Sequence, residues 1–197
     1  MAFENTLNEH WKAFLPLICA RLESSPSGIG ASIIPLLLPL AGSQPNWSQE
    51  PPSMSLEASI NGIHEADLRT AIEAMAPSMV WVEKGFFSIG EQVNRAYVEL
   101  VGPDGMVLHP DFRCGLYWQQ AKSLYPKHRH NANELYHILS GTALWQRGDA
   151  EFETHQPSVS LEHLDGVDHA TQTLDEDLLA FWAWSGDLDM DSYSMDV

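Results

Sequence analysis

The amino-acid sequence predicts a mainly β protein, a sandwich or jelly-roll barrel, with a helical segment ahead of it. From about Met79 onward, apolar and polar residues alternate in about eight short segments, which is the period of β-strands. Turn residues such as Pro103-Asp104-Gly105 and Ser140-Gly141 separate these segments. The predicted strands are 80–82, 97–101, 106–108, 113–118, 134–139, 143–146, 158–161 and 178–184.

The residues ahead of these strands show the apolar spacing of helices. Leu7, Trp11 and Phe14 recur at helical intervals. Pro16 follows them and predicts that the helix stalls or kinks there. A second amphipathic pattern over residues 65–75 predicts another helix.

These patterns divide the chain into three predicted parts. The helical N-terminal extension takes residues 1–78, including a Pro- and Ser-rich linker at 43–55. The β-barrel takes residues 79–186. The last segment, 187–197, is rich in Asp, and we expect it to be a frayed acidic tail.

Charge and composition exclude several classes of partner. The chain has 10 Lys and Arg against 27 Asp and Glu, a formal net charge of −17, whereas nucleic-acid binding needs clustered cations. The apolar run 31–42 is too short to span a bilayer and contains two prolines, and residues 1–20 lack the features of a signal peptide. The two cysteines form no CxxC pair. We therefore expect a cytoplasmic protein with reduced thiols and neither a nucleic-acid nor a membrane partner.

The densest functional signal lies between Tyr125 and Gly141. His128 and His130 are two residues apart, so their side chains share one face of a strand. Glu134 follows after a short turn and begins the next strand, which brings its carboxylate towards the two imidazoles. Two imidazoles and a carboxylate suit one divalent metal of the Fe, Mn, Zn, Co or Ni type, with positions left open for a substrate. Tyr136 lies on the same face as Glu134.

The spacing of these residues resembles the first motif of the cupin family. His128, His130, Glu134 and Gly141 occupy the positions of that motif, which in cupins supplies three metal ligands from one hairpin. The resemblance implies a cupin jelly-roll β-barrel with an α-helical N-terminal extension.

The second cupin motif matches residues 164–169, with Leu164 where the family has proline. The resemblance makes His169 the fourth metal ligand. His163 is close enough in sequence to be a rival, but Gly166, as the turn glycine, favours His169.

A closer resemblance covers roughly residues 97–186 and is to the cupin dimethylsulfoniopropionate (DMSP) lyases of marine bacteria. The runs that carry it are Tyr97–Pro103, Tyr125–His130, Glu134–Tyr136, Leu139–Trp145 and Leu178–Gly186. The resemblance implies a metal-dependent carbon–sulfur lyase that cleaves DMSP by β-elimination to dimethyl sulfide and acrylate. It also implies a small zwitterionic substrate, and a homodimer is one option for assembly.

The resemblance also implies roles for individual residues. Tyr136 and Tyr125 would be catalytic, with Tyr136 favoured as the base, and Tyr125 would also contact the substrate. His128 would either ligate the metal or hold the substrate. The metal positions are His128, His130, Glu134 and His169.

Two alternatives remain open at this stage. The chain could be another metal-dependent cupin enzyme, such as a dioxygenase or an isomerase, or a non-catalytic small-molecule-binding cupin, because one fold hosts many functions. A sulfonium ligand would favour aromatic faces. Trp182 and Trp184 share one strand face, but the sequence does not say whether that face is the barrel interior.

Overall fold

The computed structural model describes residues 2–83 and 94–195. The α-helices of this described part all lie in its N-terminal portion. They are α1 (Ala2–Ser24), α2 (Gly28–Leu37), α3 (Glu57–Asn61) and α4 (Ala66–Met75), with 3-10 turns at Leu38–Gly42, Ala76–Ser78 and, near the C-terminus, Met190–Ser192. None of them is long and apolar enough to cross a membrane.

The strands follow the helices. They are β1 (Trp81–Val82), β2 (Arg95–Gly102), β3 (Val107–Leu108), β4 (Phe112–Gln119), β5 (Leu124–Arg129), β6 (Ala132–Ser140), β7 (Ala143–Arg147), β8 (Glu153–His155), β9 (Ser160–His163), β10 (His169–Thr173), β11 (Leu178–Gly186) and β12 (Ser194–Met195). The prediction of a mainly β protein with N-terminal helices is confirmed.

The strands form two sheets that face each other. One has seven strands in the order β1-β2-β4-β11-β6-β9, with β3 parallel to β2, and the other has five in the order β12-β5-β10-β7-β8. The facing sheets meet where Glu134 on β6 contacts His169 on β10. The other strand pairs of both sheets are antiparallel.

The helices cover the outer face of the seven-stranded sheet. On α1, Trp11 and Phe14 are fully buried and belong to the same apolar cluster as Phe181 of β11. The Trp11 indole N–H also donates to the carbonyl of Leu40 at 3.0 Å. Pro16 lies inside α1, so the helix does not stop at it. The domain boundary after residue 78 stays a prediction, since helices and sheet share one apolar cluster.

Strand β11 shows how the sheet separates its two faces. Leu179 and Phe181 point to the helices, whereas Trp182 and Trp184 belong to the cluster between the sheets. Trp182 and Trp184 therefore face the space between the two sheets, and Trp145 of β7 packs in the same cluster. The alternation follows from the period of two, and the helix-covered face decides which set points inward.

The described part of the acidic C-terminal segment is not frayed, so that expectation is wrong. Ser194–Met195 (β12) pairs with β5, and Asp189 caps the 3-10 turn that precedes it. Met190 and Met195 pack against the apolar cluster between the sheets. These apolar side chains dock the segment in spite of its charge.

Four strands were not among the predicted segments, and one of them, β5, contains His128, which the motif analysis had already placed on a strand. Strand β10 consists of His-Ala-Thr-Gln-Thr, which is too polar for the alternation signal although its residues at 169, 170, 171 and 173 are buried. Strands β8 and β12 have three and two residues, too few to show a period. Strand β9 is shifted two residues from the predicted 158–161.

Replacing Gly141 by Ala should destabilise the fold more than the same change at Gly148. Both glycines have positive φ (+80° and +58°), where an L-residue costs about 1–2 kcal/mol. A Cβ at Gly141 would in addition collide with the carbonyl oxygen of Asp177, whereas Gly148 faces open space. We expect Gly141→Ala to cost a further 1–3 kcal/mol or so in urea unfolding. Equal losses would contradict this packing.

The buried imidazole of His137 should make the free energy of unfolding depend on pH. Its ring is buried and hydrogen-bonded to the Ser160 hydroxyl at 2.9 Å, and burial lowers its pKa to about 4. The unfolded chain takes up a proton near pH 6.5, so stability falls between about pH 6.5 and pH 4, by up to about 1.4 kcal/mol per pH unit. Urea unfolding at several pH values should show this slope, and the slope should be shallower in His137→Gln, where only the other buried histidines, His128 and His163, still contribute. An unchanged slope in the variant would refute the assignment.

Candidate metal centre and substrate cavity

Three buried side chains place their ligand atoms together between the two sheets. Atoms of His130, Glu134 and His169 lie within 4.8 Å of one another. The Oε2 atom of Glu134 is 3.3 Å from His130 Nε2 and 3.0 Å from His169 Nε2. The backbone N–H of Gly166 donates to the His130 carbonyl at 2.9 Å, and so ties the turn before His169 to the first motif.

The histidine rings are oriented by backbone carbonyls. The Nδ1 atoms of His128, His130 and His169 lie 2.8, 3.1 and 2.9 Å from the carbonyl oxygens of residues 126, 132 and 167. A carbonyl only accepts hydrogen bonds, so each Nδ1 carries a proton, and Nε2 is the nitrogen left available to the site. This is the arrangement of metal-binding histidines, and the donor set fits a divalent transition metal.

The electrostatics of the group keep Glu134 anionic. Burial alone would raise the pKa of its carboxyl, but the imidazoles of His130 and His169 hold that pKa well below its usual range. Its other oxygen, Oε1, accepts a hydrogen bond from the Trp184 indole at 2.7 Å. The group therefore offers a carboxylate oxygen and two imidazole nitrogens to a cation.

His128 lies beside this group. Its ring stacks on Tyr125 at a centroid distance of 3.9 Å and stands 4.1 Å from the His169 ring. Burial, and then the neighbouring His169, lower the pKa of His128 well below its usual value, so its imidazole is neutral. Its role as a metal ligand stays a prediction.

His163, the rival of His169, is outside the three-residue group. It pairs with Glu134 across strands β9 and β6, and its ring stacks on His169 at 4.2 Å with an interplanar angle of 9°. Neither of its ring nitrogens has a hydrogen-bond partner among the described residues. Burial lowers its pKa to about 3, which keeps it neutral. It packs against one candidate ligand without joining the group.

A cavity lined by aromatic residues opens onto the three-residue group. Tyr136 stands 5.6 Å from Tyr117 and 5.0 Å from Trp145, measured between ring centroids. The Tyr125 hydroxyl is hydrogen-bonded to that of Tyr193 at 2.8 Å. The lining residues are Tyr97, Glu99, Arg113, Tyr117, Tyr125, His128, His130, Glu134, Tyr136, Trp182, Trp184, Met190 and Tyr193.

Sequence reasoning missed several of these lining residues. The sequence did not point to Tyr193, because the segment that contains it was expected to be a frayed tail. Tyr117 lies on a strand that was predicted, but no motif marks it. Glu99 and Arg113 form an ion pair of 2.6 Å on adjacent strands, which only the sheet order brings together.

Comparison with known proteins identifies the family. The dimethylsulfoniopropionate lyase (DMSP lyase) family model matches residues 36–180. A curated relative, dimethylsulfoniopropionate lyase DddQ of Ruegeria pomeroyi, is 31% identical over 90 residues. That match spans 46% of this chain and 45% of the relative, so the chain covers less than half the length of that protein.

Solved structures show the same fold. The crystal structure of the DMSP lyase DddQ from Ruegeria pomeroyi DSS-3 aligns with a TM-score of 0.72 and 21% identity, over 95% of this chain and 96% of that one. A structure reported with the DMSP lyases RdDddP and RnDddQII aligns with a TM-score of 0.64 and 23% identity, over 100% and 98% of the two chains. The predicted cupin fold is confirmed, and, since the family model covers most of its length, the chain belongs to the dimethylsulfoniopropionate lyase family.

Proposed function

We propose that this protein is a metal-dependent carbon–sulfur lyase that cleaves DMSP to dimethyl sulfide and acrylate by β-elimination. The observation that carries the proposal is the position of the Tyr136 phenol, next to Glu134 in an aromatic cavity that opens onto a metal-type donor group. Membership of the DMSP lyase family supports the choice of substrate. The proposal includes the cytoplasmic location expected from the sequence, and a homodimer stays one option.

His130, Glu134 and His169 would hold the metal, and His128 would either complete the set or contact the substrate. When bound, a divalent metal supplies Lewis-acid stabilisation of the charge that develops on the substrate carboxylate, and its field lowers the pKa of a nearby phenol. Fe, Mn, Zn, Co and Ni all accept such a donor set, so the proposal extends to any of them.

Tyr136 is the proposed base. Burial, and then the Glu134 carboxylate, raise the pKa of its phenol well above the usual value, so in the protein alone it is protonated. As phenolate it takes the α-proton of DMSP. The electrons of that C–H bond form the double bond of acrylate, and those of the C–S bond leave with sulfur. Dimethyl sulfide departs neutral, so no general acid is needed.

Tyr125 and His128 are proposed to orient the substrate carboxylate. They stack on each other, and the Tyr125 hydroxyl is held by Tyr193. The His128 Nδ1 faces a backbone carbonyl, so its Nε2 side is the one left to interact in the cavity. Holding the substrate in a fixed orientation lowers the entropic part of the activation free energy of the elimination.

The sulfonium end would bind among aromatic rings. Tyr97 and Trp182 meet edge to face at 5.9 Å on the cavity wall, and Glu99 lies beside them in the lining. Aromatic faces attract a desolvated cation by ~1–2 kcal/mol. A compact onium head is therefore the proposed partner of this wall.

Headspace detection of dimethyl sulfide tests the function directly. Metal-loaded protein mixed with DMSP should release it, and Glu134→Ala protein treated in the same way should not. A wild-type protein that holds stoichiometric metal but releases no dimethyl sulfide would refute the proposal. Oxygen consumption without dimethyl sulfide would indicate a dioxygenase instead.

The two neighbouring histidines should differ in their effect on metal content. We expect His169→Ala to lose metal, because it removes one of three ligand atoms, and His163→Ala to keep it, because that ring lies outside the group. Elemental analysis after gel filtration measures this. The reverse pattern would show that the second motif was misread.

Tyr136→Phe should leave a folded, metal-loaded protein with a much lower rate. The change removes one oxygen and keeps the ring, so a base role predicts a fall in kcat of ~10²-fold or more. Tyr117→Phe serves as the matched control, because its hydroxyl is engaged by Gln119 at 2.8 Å and has no proposed chemical step. If Tyr136→Phe keeps near-wild-type kcat, Tyr125 becomes the candidate base.

The site should prefer a zwitterion to a neutral thioether acid of the same length. We expect 3-(methylthio)propionate to bind roughly 10-fold more weakly than DMSP, the equivalent of the cation–π contribution. Calorimetry with the inactive Tyr136→Phe protein compares the two ligands without turnover. Equal affinities would rule out cation recognition by the aromatic wall.

A further inference from the structure

The two oxygens of Glu134 have different partners. Trp184 lies directly opposite Glu134 in the pairing of β11 with β6. Its indole Nε1–H donates to Oε1 at 2.7 Å, and both side chains are buried, at 7% and 3% exposure. The other oxygen, Oε2, is the one that faces His130 and His169.

The same indole also contacts a second member of the group. Its ring lies 4.1 Å from the His130 ring with an interplanar angle of 35°. Trp182 is two residues away on the same strand face and lines the same cavity. Its indole nitrogen is buried and has no hydrogen-bond partner among the described residues. The two tryptophans therefore differ in the hydrogen bond to Glu134, which Trp184 makes and Trp182 does not.

We propose that Trp184 is a positioning residue that makes Glu134 a one-oxygen metal ligand. A hydrogen bond to Oε1 occupies that oxygen and fixes the rotation of the carboxylate, so that Oε2 alone is presented to the cation. The indole N–H is only a donor, so it cannot compete for the metal itself. This inference rests on the metal centre of the proposed function.

The arrangement has a consequence for substrate access. A carboxylate that binds through both oxygens occupies one more coordination position than a carboxylate that binds through one. Trp184 would therefore keep a position free for the substrate.

Trp184→Phe tests the inference, with Trp182→Phe as the matched control. The first change keeps a ring beside His130 and removes the hydrogen bond to Glu134, whereas the second removes an N–H without such a partner. We expect the Kd for Zn²⁺, measured by competition with a chromophoric chelator, to rise about 10- to 100-fold in Trp184→Phe and to stay unchanged in Trp182→Phe.

The visible spectrum of the Co²⁺-loaded proteins gives a signature that a general loss of stability would not produce. Release of Oε1 to the metal raises the coordination number, which weakens the d–d absorption. We expect weaker bands in Trp184→Phe and unchanged bands in Trp182→Phe.

The outcomes separate this inference from the metal proposal. Wild-type protein that binds neither Zn²⁺ nor Co²⁺ would overturn both. Tight binding with the same Kd and the same Co²⁺ spectrum in Trp184→Phe would overturn only the role of Trp184. If that variant does not fold, the indole ¹⁵N–¹H resonance of Trp184 in wild-type protein decides. The resonance should be protected from exchange and shift when Zn²⁺ is added, and an unshifted resonance would overturn the inference.

Discussion

The buried carboxylate of Glu134 is the constraint around which the two sheets are arranged. An ionised carboxylate with 3% exposure is stable only if charges or hydrogen-bond donors replace its lost water. His130, from the same motif as Glu134, and Trp184, from the neighbouring strand β11, contact this carboxylate. His169 contacts it from the opposite sheet. The contact that keeps Glu134 ionised therefore also joins the sheets, and the negative charge left there suits a metal cation.

The helical segment allows the space between the sheets to be polar, because it provides the apolar core on the other face of the seven-stranded sheet. Strands β6 and β11 each have one face that is apolar and one that carries the site. The outward set, including Leu135 and Phe181, shares one apolar cluster with the helices, of which α2 and α3 contact β6 and β11 directly. With the apolar core placed on the outside of the sheet, the space between the sheets is free to hold histidines, tyrosines and a cavity.

The C-terminal segment completes the cavity from the other side. Its acidic composition predicts a solvated tail, yet Tyr193 reaches the Tyr125 hydroxyl and β12 adds an edge strand to β5. A few apolar and aromatic side chains decide the position of such a segment, because each buried ring contributes more than the surrounding exposed charges oppose. The polar strand β10 was missed for a related reason, since its burial comes from its central place in the five-stranded sheet.

Local regularities of the sequence were enough for the core of the site. The period of two put Glu134 and Tyr136 on one face, the His-x-His spacing did the same for His128 and His130, and the turn glycines marked where strands end. Periodicity relates residues within one strand, but it does not say which face points inward or which strands become neighbours. Only the tertiary structure decided that Trp184 faces Glu134 and that His169 joins the group while His163 does not, because those relations depend on the sheet order and on the helices that cover one face.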